Sequence, residues 1–457
     1  MVSDWREITL SECAEFQEGY VNPSQKRGEY FGGSIKWLRA VDLNDGYVRK
    51  TTRTLTECGF NSAGKSALLF KPGTLAISKS GTIGRIGILC DYMCGNRAVI
   101  NITVNEKVCS KRFVFFILKK NRSYLENLAT GSVQKNLYTS VLGSLVFNMP
   151  TLSEQKAIAN VLGALDDRIE LNRRMNETLE AMAHALFKSW FVDFDPVIDN
   201  ALSSGKKIPA ALIEKAEARA GLGDKRKPLP EEIRTLFPDE FTYSEEMGWI
   251  PEGWCCGSIL EKAKLLSGGT PKTSISEYWD GDIPWASAKD VSQCGESFLI
   301  NSARHITSTG LAKSSTKIIP KFSTVFVARG ATTGRLTMFG GDMAMNQTCY
   351  GLRADSEMHF YTYCHSKHFI DSIVNAGHGS IFTTITTTTF KASKVIHADE
   401  MIICNFEEFV SPIFQKVLSN QVKTRTLTKL RDTLLPKLLS GEIRIPDAEI
   451  MVEELAQ

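Results

Sequence analysis

No apolar run in this 457-residue chain approaches the length of a membrane span. Its start, Met1-Val2-Ser3-Asp4-Trp5, lacks the charged-then-apolar pattern of a signal peptide. The eleven cysteines are odd in number, scattered and without paired CxxC spacing, which excludes a disulfide framework and fits reduced thiols. A cytoplasmic protein with no membrane partner is expected. Histidine is scarce, at seven residues, and the nearest thing to a ligand cluster is Cys364-His365 with His368. Its spacing reads as an ordinary helix surface, not a zinc site. Lys and Arg (54) barely exceed Asp and Glu (51), so any affinity for nucleic acid must come from local patches.

Catalytic vocabulary is also missing. A methyltransferase needs an acidic-or-Asn, Pro-Pro, aromatic tetrapeptide, and Asp195-Pro196-Val197 lacks both the second Pro and the aromatic. There is no carboxylate cluster followed by Lys for a metal nuclease, and no His beside a nucleophile with an orienting acid. Gly59-Phe60-Asn61-Ser62-Ala63-Gly64-Lys65-Ser66 matches the phosphate-loop pattern by letter. That chemistry needs a strand before the loop and a long helix after it. Here Ala67-Leu68-Leu69-Phe70 runs straight into Lys71-Pro72-Gly73, so the match is read as fortuitous. No catalytic, cofactor-binding or metal-binding residue is assigned.

What the chain does have, it has twice. Ile35-Lys36-Trp37 with Asp42 returns as Ile283-Pro284-Trp285 with Asp290, an offset of 248 (285 − 37). Leu75-Ala76-Ile77 with Gly84-Arg85 returns as Val325-Phe326-Val327 with Gly334-Arg335, an offset of 250 (334 − 84). Asn96 falls on Asn346, Gly131-Ser132 on Gly379-Ser380, Asn172 on Asn420 and Leu186 on Leu434. Two large copies do not make a solenoid, which stacks short repeats. A pseudo-twofold molecule suits a roughly twofold partner, and duplex DNA is the commonest one.

Each copy opens on a Trp and a short β-helix-like stretch, Trp5 to Gly19 and Trp254 to Gly268. Short β-rich segments follow, with turns at Asn44-Asp45-Gly46, Lys71-Pro72-Gly73 and Gly340-Gly341. After Pro150, Ser153 with Glu154 and Gln155 is expected to start a long helix. Its apolar residues fall at Ile158, Leu162, Leu165, Ile169, Leu179, Leu186 and Trp190, at coiled-coil spacing. The second copy repeats this with Phe406, Val410, Ile413, Val417, Leu427, Leu434 and Leu438, with Pro436 interrupting its last turns and Gly441 stopping it. Polar residues Asn172 and Asn176 sit in the first seam, Asn420 and Thr424 in the second. Either they select one register, or the helices part there and the amides meet water. Asp199 to Trp249 reads as a charged linker, partly helical over Ala210 to Ala220, with Lys225 to Lys227 on a solvated face.

Two loop pairs carry groups suited to DNA. Lys79-Ser80-Gly81-Thr82-Ile83-Gly84-Arg85 and Arg329-Gly330-Ala331-Thr332-Thr333-Gly334-Arg335 combine cations, hydroxyls and glycines after a buried strand. The later pair diverges: Gln134, Lys135 and Asn136 after Gly131-Ser132, against Thr383 and Thr384 after Gly379-Ser380. Amides suit adenine edges, Arg and Lys guanine, and Thr methyls thymine. Trp37, Arg39 and Lys289 complete the candidates. The bland alternative is a set of structural Gly-rich turns.

In this order, twice, these marks are similar to the specificity (S) subunit of type I restriction-modification systems. Leu152-Ser153-Glu154-Gln155-Lys156 and the ending Leu438-Leu439-Ser440-Gly441-Glu442-Ile443 add to the resemblance. The second copy departs from it at Asn405-Phe406-Glu407-Glu408 and Phe382-Thr383-Thr384. The implied fold is α+β: two β-rich α/β target-recognition domains (1–150 and 251–400) joined by two long antiparallel spacer helices (151–195 and 401–445) as a coiled coil. A charged linker (196–250) and a tail (446–457) complete this pseudo-twofold internal repeat. The expected seam residues are Leu162, Leu165, Ile169, Asn172, Asn176, Leu179, Val417, Asn420, Leu427 and Leu434. The resemblance implies a non-catalytic subunit that recognises a bipartite, asymmetric target in double-stranded DNA. Two methylation subunits would bring S-adenosylmethionine, and restriction subunits would bring ATP and Mg. The competing reading is a single-chain DNA methyltransferase or nuclease, which would need a catalytic motif of its own.

Overall fold

Five short segments of the first half pair into one sheet, in the order Ala14–Glu18, Val99–Val104, Leu75–Ser78, Ile86–Leu89, Tyr47–Val48. Leu75–Ser78 and Ile86–Leu89 are buried throughout, as continuous apolar runs covered on both faces should be. A second sheet runs Thr54–Leu55, Phe31–Leu38, Met93–Gly95, Leu69–Phe70. The other half repeats the five-stranded order with Ala263–Ser267, Cys349–Ala354, Thr324–Val327, Leu336–Phe339 and Phe298–Leu299. Its second sheet keeps three strands, Arg304–Ile306, Trp279–Ala286 and Ala344–Met345. Each half is closed by its own ends. Arg6 pairs with Met149 and Thr9 with Val146, while Cys255 pairs with His397 and Gly257 with Val395.

This computed structural model describes residues 5–130, 135–223, 229–376 and 384–454. The chain falls into two units, Met1–Asn172 with Lys423–Gln457, and Arg173–Val422. The division runs through two long helices, Leu152–Phe191 (40 residues) and Glu400–Leu438 (39 residues), so each unit owns part of both. In the first unit, Leu162, Leu165 and Ile169 share one core with Leu427 and Leu434. In the second, Val417 lies in a core with Phe187, Trp190 and Phe406, against which the half-buried Leu179 packs. Within that unit His184 faces Phe414 and Trp190 faces Phe406, so the two segments run antiparallel.

The polar layer resolves in favour of pairing in the second unit. Asn420 and Asn176 are 1% and 8% exposed. Asn420 Nδ2 donates to Asn176 Oδ1 (2.8 Å), and Asn176 Nδ2 donates to the Val417 carbonyl (3.1 Å). Water does not replace the partner helix here. In the first unit Asn172 is half-buried and Thr424 is buried.

The first long helix starts at Leu152, with Thr151 as its cap: the Thr151 amide and hydroxyl both donate to Glu154 (3.2 and 3.0 Å), and the Glu154 amide donates back to the Thr151 hydroxyl (3.3 Å). Three expectations are corrected. Pro436 does not interrupt the second helix, which ends at Leu438, where Gly441 (φ 73°) lets the Glu442 amide reach the Lys437 carbonyl (2.9 Å). The charged linker is folded. Asn200 Nδ2 donates to the Arg234 and Phe237 carbonyls (3.0 and 2.9 Å), and Arg219 pairs with Asp195 and Asp199. Its helices Asp195–Ser203 and Ile213–Ala220 precede a hairpin of Phe241–Ser244 and Gly248–Pro251; Lys225 to Lys227 lie outside the described residues. Cys364 and His365 are not on a helix surface. They are 1% and 7% exposed, in the helix His359–Ala376, with His365 packed against Tyr361 and Phe187. That helix packs on the five-stranded sheet and also meets Phe187 of the long helix, so two of its faces are covered.

Candidate nucleic-acid interface

A buried strand ends at Ser78, and the chain then turns sharply. Gly81 and Gly84 take φ of 74° and 78°, and the Gly84 amide returns to the Ser78 carbonyl (3.0 Å). The counterpart follows Val327 with Gly330 and Gly334 at 101° and 88°, and the Gly334 amide returns to the Val327 carbonyl (2.9 Å). A rigid strand therefore presents the same loop in each unit. The second loop pair lies beside the first. The Lys79 carbonyl accepts the Leu137 amide, and the Ala328 carbonyl accepts the Ile385 amide, both at 2.8 Å. Asn136 pairs with Thr130 in both directions, and Arg329 bridges to Thr384.

The individual candidates divide. Thr82, Lys135, Lys289, Arg329, Thr332 and Arg335 are exposed. Ser80, Arg85, Asn136, Thr333 and Thr384 are half-buried, and the Thr333 hydroxyl donates to the Gly330 carbonyl (2.7 Å). Gln134 and Thr383 lie outside the described residues. Lys79 is neutralised by Glu18 at 2.7 Å. Arg39 is half-buried, bonded to Thr52 and lying over the Trp37 ring at 5.3 Å. Trp37 itself must be withdrawn as a surface reader. It is 4% exposed, and its Nε1 donates to the Val21 carbonyl (2.7 Å), as Trp285 donates to Gly269 (2.9 Å).

What Trp37 does is hold an arginine that sequence reading misses. The Arg53 guanidinium lies 3.8 Å from the Phe31 ring centre and 5.9 Å from that of Trp37. In the other half Arg304 lies 3.5 Å from Trp279 and 5.9 Å from Trp285. The guanidinium faces are covered by aromatic rings, which orients the planar fork without neutralising it. The signal was the aromatic pair at a constant offset of 248 (279 − 31 and 285 − 37).

The floors of the two loops differ. In the first unit Arg122 fills the space under Gly84, pairing with Asp45 at 3.1 Å. In the second, a cavity of about 790 Å³ opens there, lined by Thr332, Arg335, Glu180, His184, Tyr363 and Lys367 among others. Burial raises the Glu180 carboxyl above its usual range and pushes His184 down to about 4. No group of three or more His, Cys, Asp or Glu side chains among the described residues is placed to hold a metal ion. The phosphate-loop match is a five-residue helix, Glu57–Asn61, and a single 3-10 turn, Gly64–Ser66. Its Gly59 is required by packing: a Cβ there would meet the Tyr30 carbonyl at 2.2 Å, as one on Gly310 would meet that of Tyr278 at 2.4 Å. No helix among the described residues is long and apolar enough to cross a membrane.

Known proteins share this arrangement. The chain is 29% identical to the type I restriction enzyme HindI specificity subunit of Haemophilus influenzae over 389 residues, covering 78% of this chain and 82% of that one. It is 26% identical to the MjaIX specificity subunit of Methanocaldococcus jannaschii over 453 residues, 97% and 94% of the two chains. The crystal structure of a type I restriction-modification S subunit from M. genitalium superposes with a TM-score of 0.54 at 16% identity, covering 95% of this chain and 96% of that one, a likeness of fold. The type I restriction modification DNA specificity domain matches twice, over residues 2–181 and 251–397, most of the chain. With two closed β-rich halves, two long helices and this double match, the chain belongs to the family of type I restriction-modification specificity subunits, whose part is DNA recognition and not catalysis.

Proposed function

We propose that this chain reads a bipartite, asymmetric DNA target, one half-site per repeat, with an unread gap between. The observation that carries this reading is a loop framework kept in both units while the residues it carries differ. Strand, positive-φ glycines and the neighbouring amide recur, but Lys135-Asn136 stands where Phe382-Thr383-Thr384 brings methyls and hydroxyls. Residues 1–150 and 251–400 are the two readers, and 151–195 with 401–445 are the spacers that set the gap. Of the named side chains, the exposed Thr82, Lys135, Lys289, Arg329, Thr332 and Arg335 are the proposed DNA contacts, with the half-buried Ser80, Arg85, Asn136 and Thr384 as further candidates.

In this reading the chemistry belongs to partners in the cytoplasm. Two methylation subunits supply S-adenosylmethionine and modify adenine within the target, and restriction subunits supply ATP- and Mg-dependent cleavage. Sequencing of methylated bases in cells carrying this chain with its methylation subunits tests the proposal directly. The expected motif has two different short words separated by a fixed run of any bases. A continuous motif or a perfect palindrome overturns it.

A further inference from the structure

The Asn that recurs 250 residues apart (346 − 96) builds the same turn twice. Asn96 Oδ1 accepts the Ala98 amide (3.0 Å); Asn346 Oδ1 accepts the Thr348 amide (3.2 Å) and hydroxyl (2.8 Å). The Asn96 amide donates to the Leu38 carbonyl (3.0 Å), and the Asn346 amide to that of Ala286 (2.9 Å). Each turn is seated on a glycine. A Cβ on Gly19 would come within 2.3 Å of the Asn96 carbonyl, and one on Gly268 within 2.2 Å of the Asn346 carbonyl. Such side-chain-to-backbone bonding fixes a turn whatever residue stands in its middle.

That middle residue is exposed in both units, and it differs: Arg97 in one, Gln347 in the other. Each turn also abuts the loop already described. The Lys79 amide donates to the Ala98 carbonyl and the Ala328 amide to the Thr348 carbonyl, both at 2.8 Å. In each unit the described parts of these three loops are thus joined edge to edge by backbone bonds. Lys79 is neutralised by Glu18, whereas Arg97 enters no ion pair among the described residues. Gln347 Oε1 accepts the Thr270 hydroxyl, which fixes the plane of its amide and leaves that oxygen a second lone pair.

We infer that Arg97 and Gln347 are specificity-determining residues, Arg97 reading a guanine in one half-site and Gln347 an adenine in the other. Resting on the bipartite reading above, this assigns a base type to one residue in each domain. The guanidinium fork matches guanine O6 and N7, and the carboxamide matches adenine N6 and N7; each such pair discriminates by roughly tenfold to a hundredfold. Both side chains are exposed, and the backbone and Asn bonds that build each turn do not pass through them.

The experiment uses the full chain with its methylation subunits. Methylated motifs are compared for the native chain, Arg97→Ala, Arg97→Lys and Gln347→Ala, and the purified complexes are titrated with duplexes substituted one base pair at a time. Arg97→Ala is expected to relax one G·C position of one half-site, losing roughly tenfold to a hundredfold preference, with the other half and the gap intact. Arg97→Lys should keep part of that preference, and Gln347→Ala should relax one A·T position in the other half. An unchanged motif in both alanine variants overturns the inference. So does uniform weakening on every duplex, the mark of a phosphate contact. A native motif that is not bipartite instead sinks the reading beneath it.

Discussion

Arg53 and Arg304 lie over aromatic rings, and this decides what they can contribute. A guanidinium so placed keeps its charge while losing little freedom on binding. Arg53→Ala and Arg304→Ala are each expected to weaken DNA binding about equally on all sequences and to lower the slope of log affinity against log salt by about one. Salt titrations of the assembled complex measure it; a changed motif would make them base readers instead. Glu407 carries a different kind of consequence. Its carboxylate accepts the Phe360 and Tyr361 amides (3.0 and 2.8 Å) at the start of the helix His359–Ala376. Burial nevertheless outweighs those bonds and pushes it up to about 7. The folded value lies above the ordinary one near 4.5, so its share of stability is fully present below that value. It is lost as pH rises through about 7. Hydrogen exchange of residues 359–376 is expected to quicken across that window, and Glu407→Gln to flatten the dependence. At this scale the sequence is least legible. Nothing in the letters says that Trp37 faces inward on its strand, or that Arg53 reaches it from beside the antiparallel neighbour Thr54–Leu55.

The long helices are legible because their spacing is strict: Leu162, Leu165 and Ile169 are 0 to 2% exposed. Their ends are less so, since a cap is a bond and not a pattern: the Thr151–Glu154 bonds fix the start of the first helix. The charged segment after Phe191 misleads for a related reason. Arg219 with Asp195 and Asp199 looks solvated in composition, but opposite charges brought together in a fold neutralise one another. The Asn176–Asn420 pair makes a prediction here. Asn420→Leu leaves Asn176 Oδ1 buried without its donor, and a loss of about 1–3 kcal/mol is expected in denaturant titration. Replacing both by Leu should recover most of it while relaxing register. If the single variant is as stable as the native chain, the pair does not hold the seam. A second test lengthens the helices. Seven residues added after both Ile169 and Leu427 preserve the apolar face and add about 10 Å. The expected motif keeps both words and widens its gap by about three base pairs. Two residues added after Ile169 alone rotate Leu179 and Leu186 off the seam, and activity should vanish.

The duplication is the most legible property of the whole molecule, because an offset that drifts by only two over so long a stretch needs no structure to be seen. What the offset conceals is where the copies part company. Comparison by identity finds Asn96 and Asn346 and passes over Arg97 and Gln347, the residues between which the copies differ. It also misses that each half is a closed object, its first strand paired with its last. Replacing residues 1–150 by the same region of a related chain is therefore expected to change one word of the motif and leave the other word and the gap. Methylation sequencing checks it, and simultaneous change of both words would end the modular account.

The turns seated on Gly19 and Gly268 have a further consequence for heredity. Their bonds run through backbone and a neighbouring Asn, and only the Thr270 hydroxyl engages the side chain at 347, so a mutation at 97 or 347 costs the fold little. In the proposed complex one chain addresses both the enzyme that protects the host chromosome and the enzyme that cuts foreign DNA. A single codon change at the turn would rename the target for both at once. The renamed sites would at first be unmethylated on the host's own chromosome, so such a change would be survivable only where methylation outpaces cleavage.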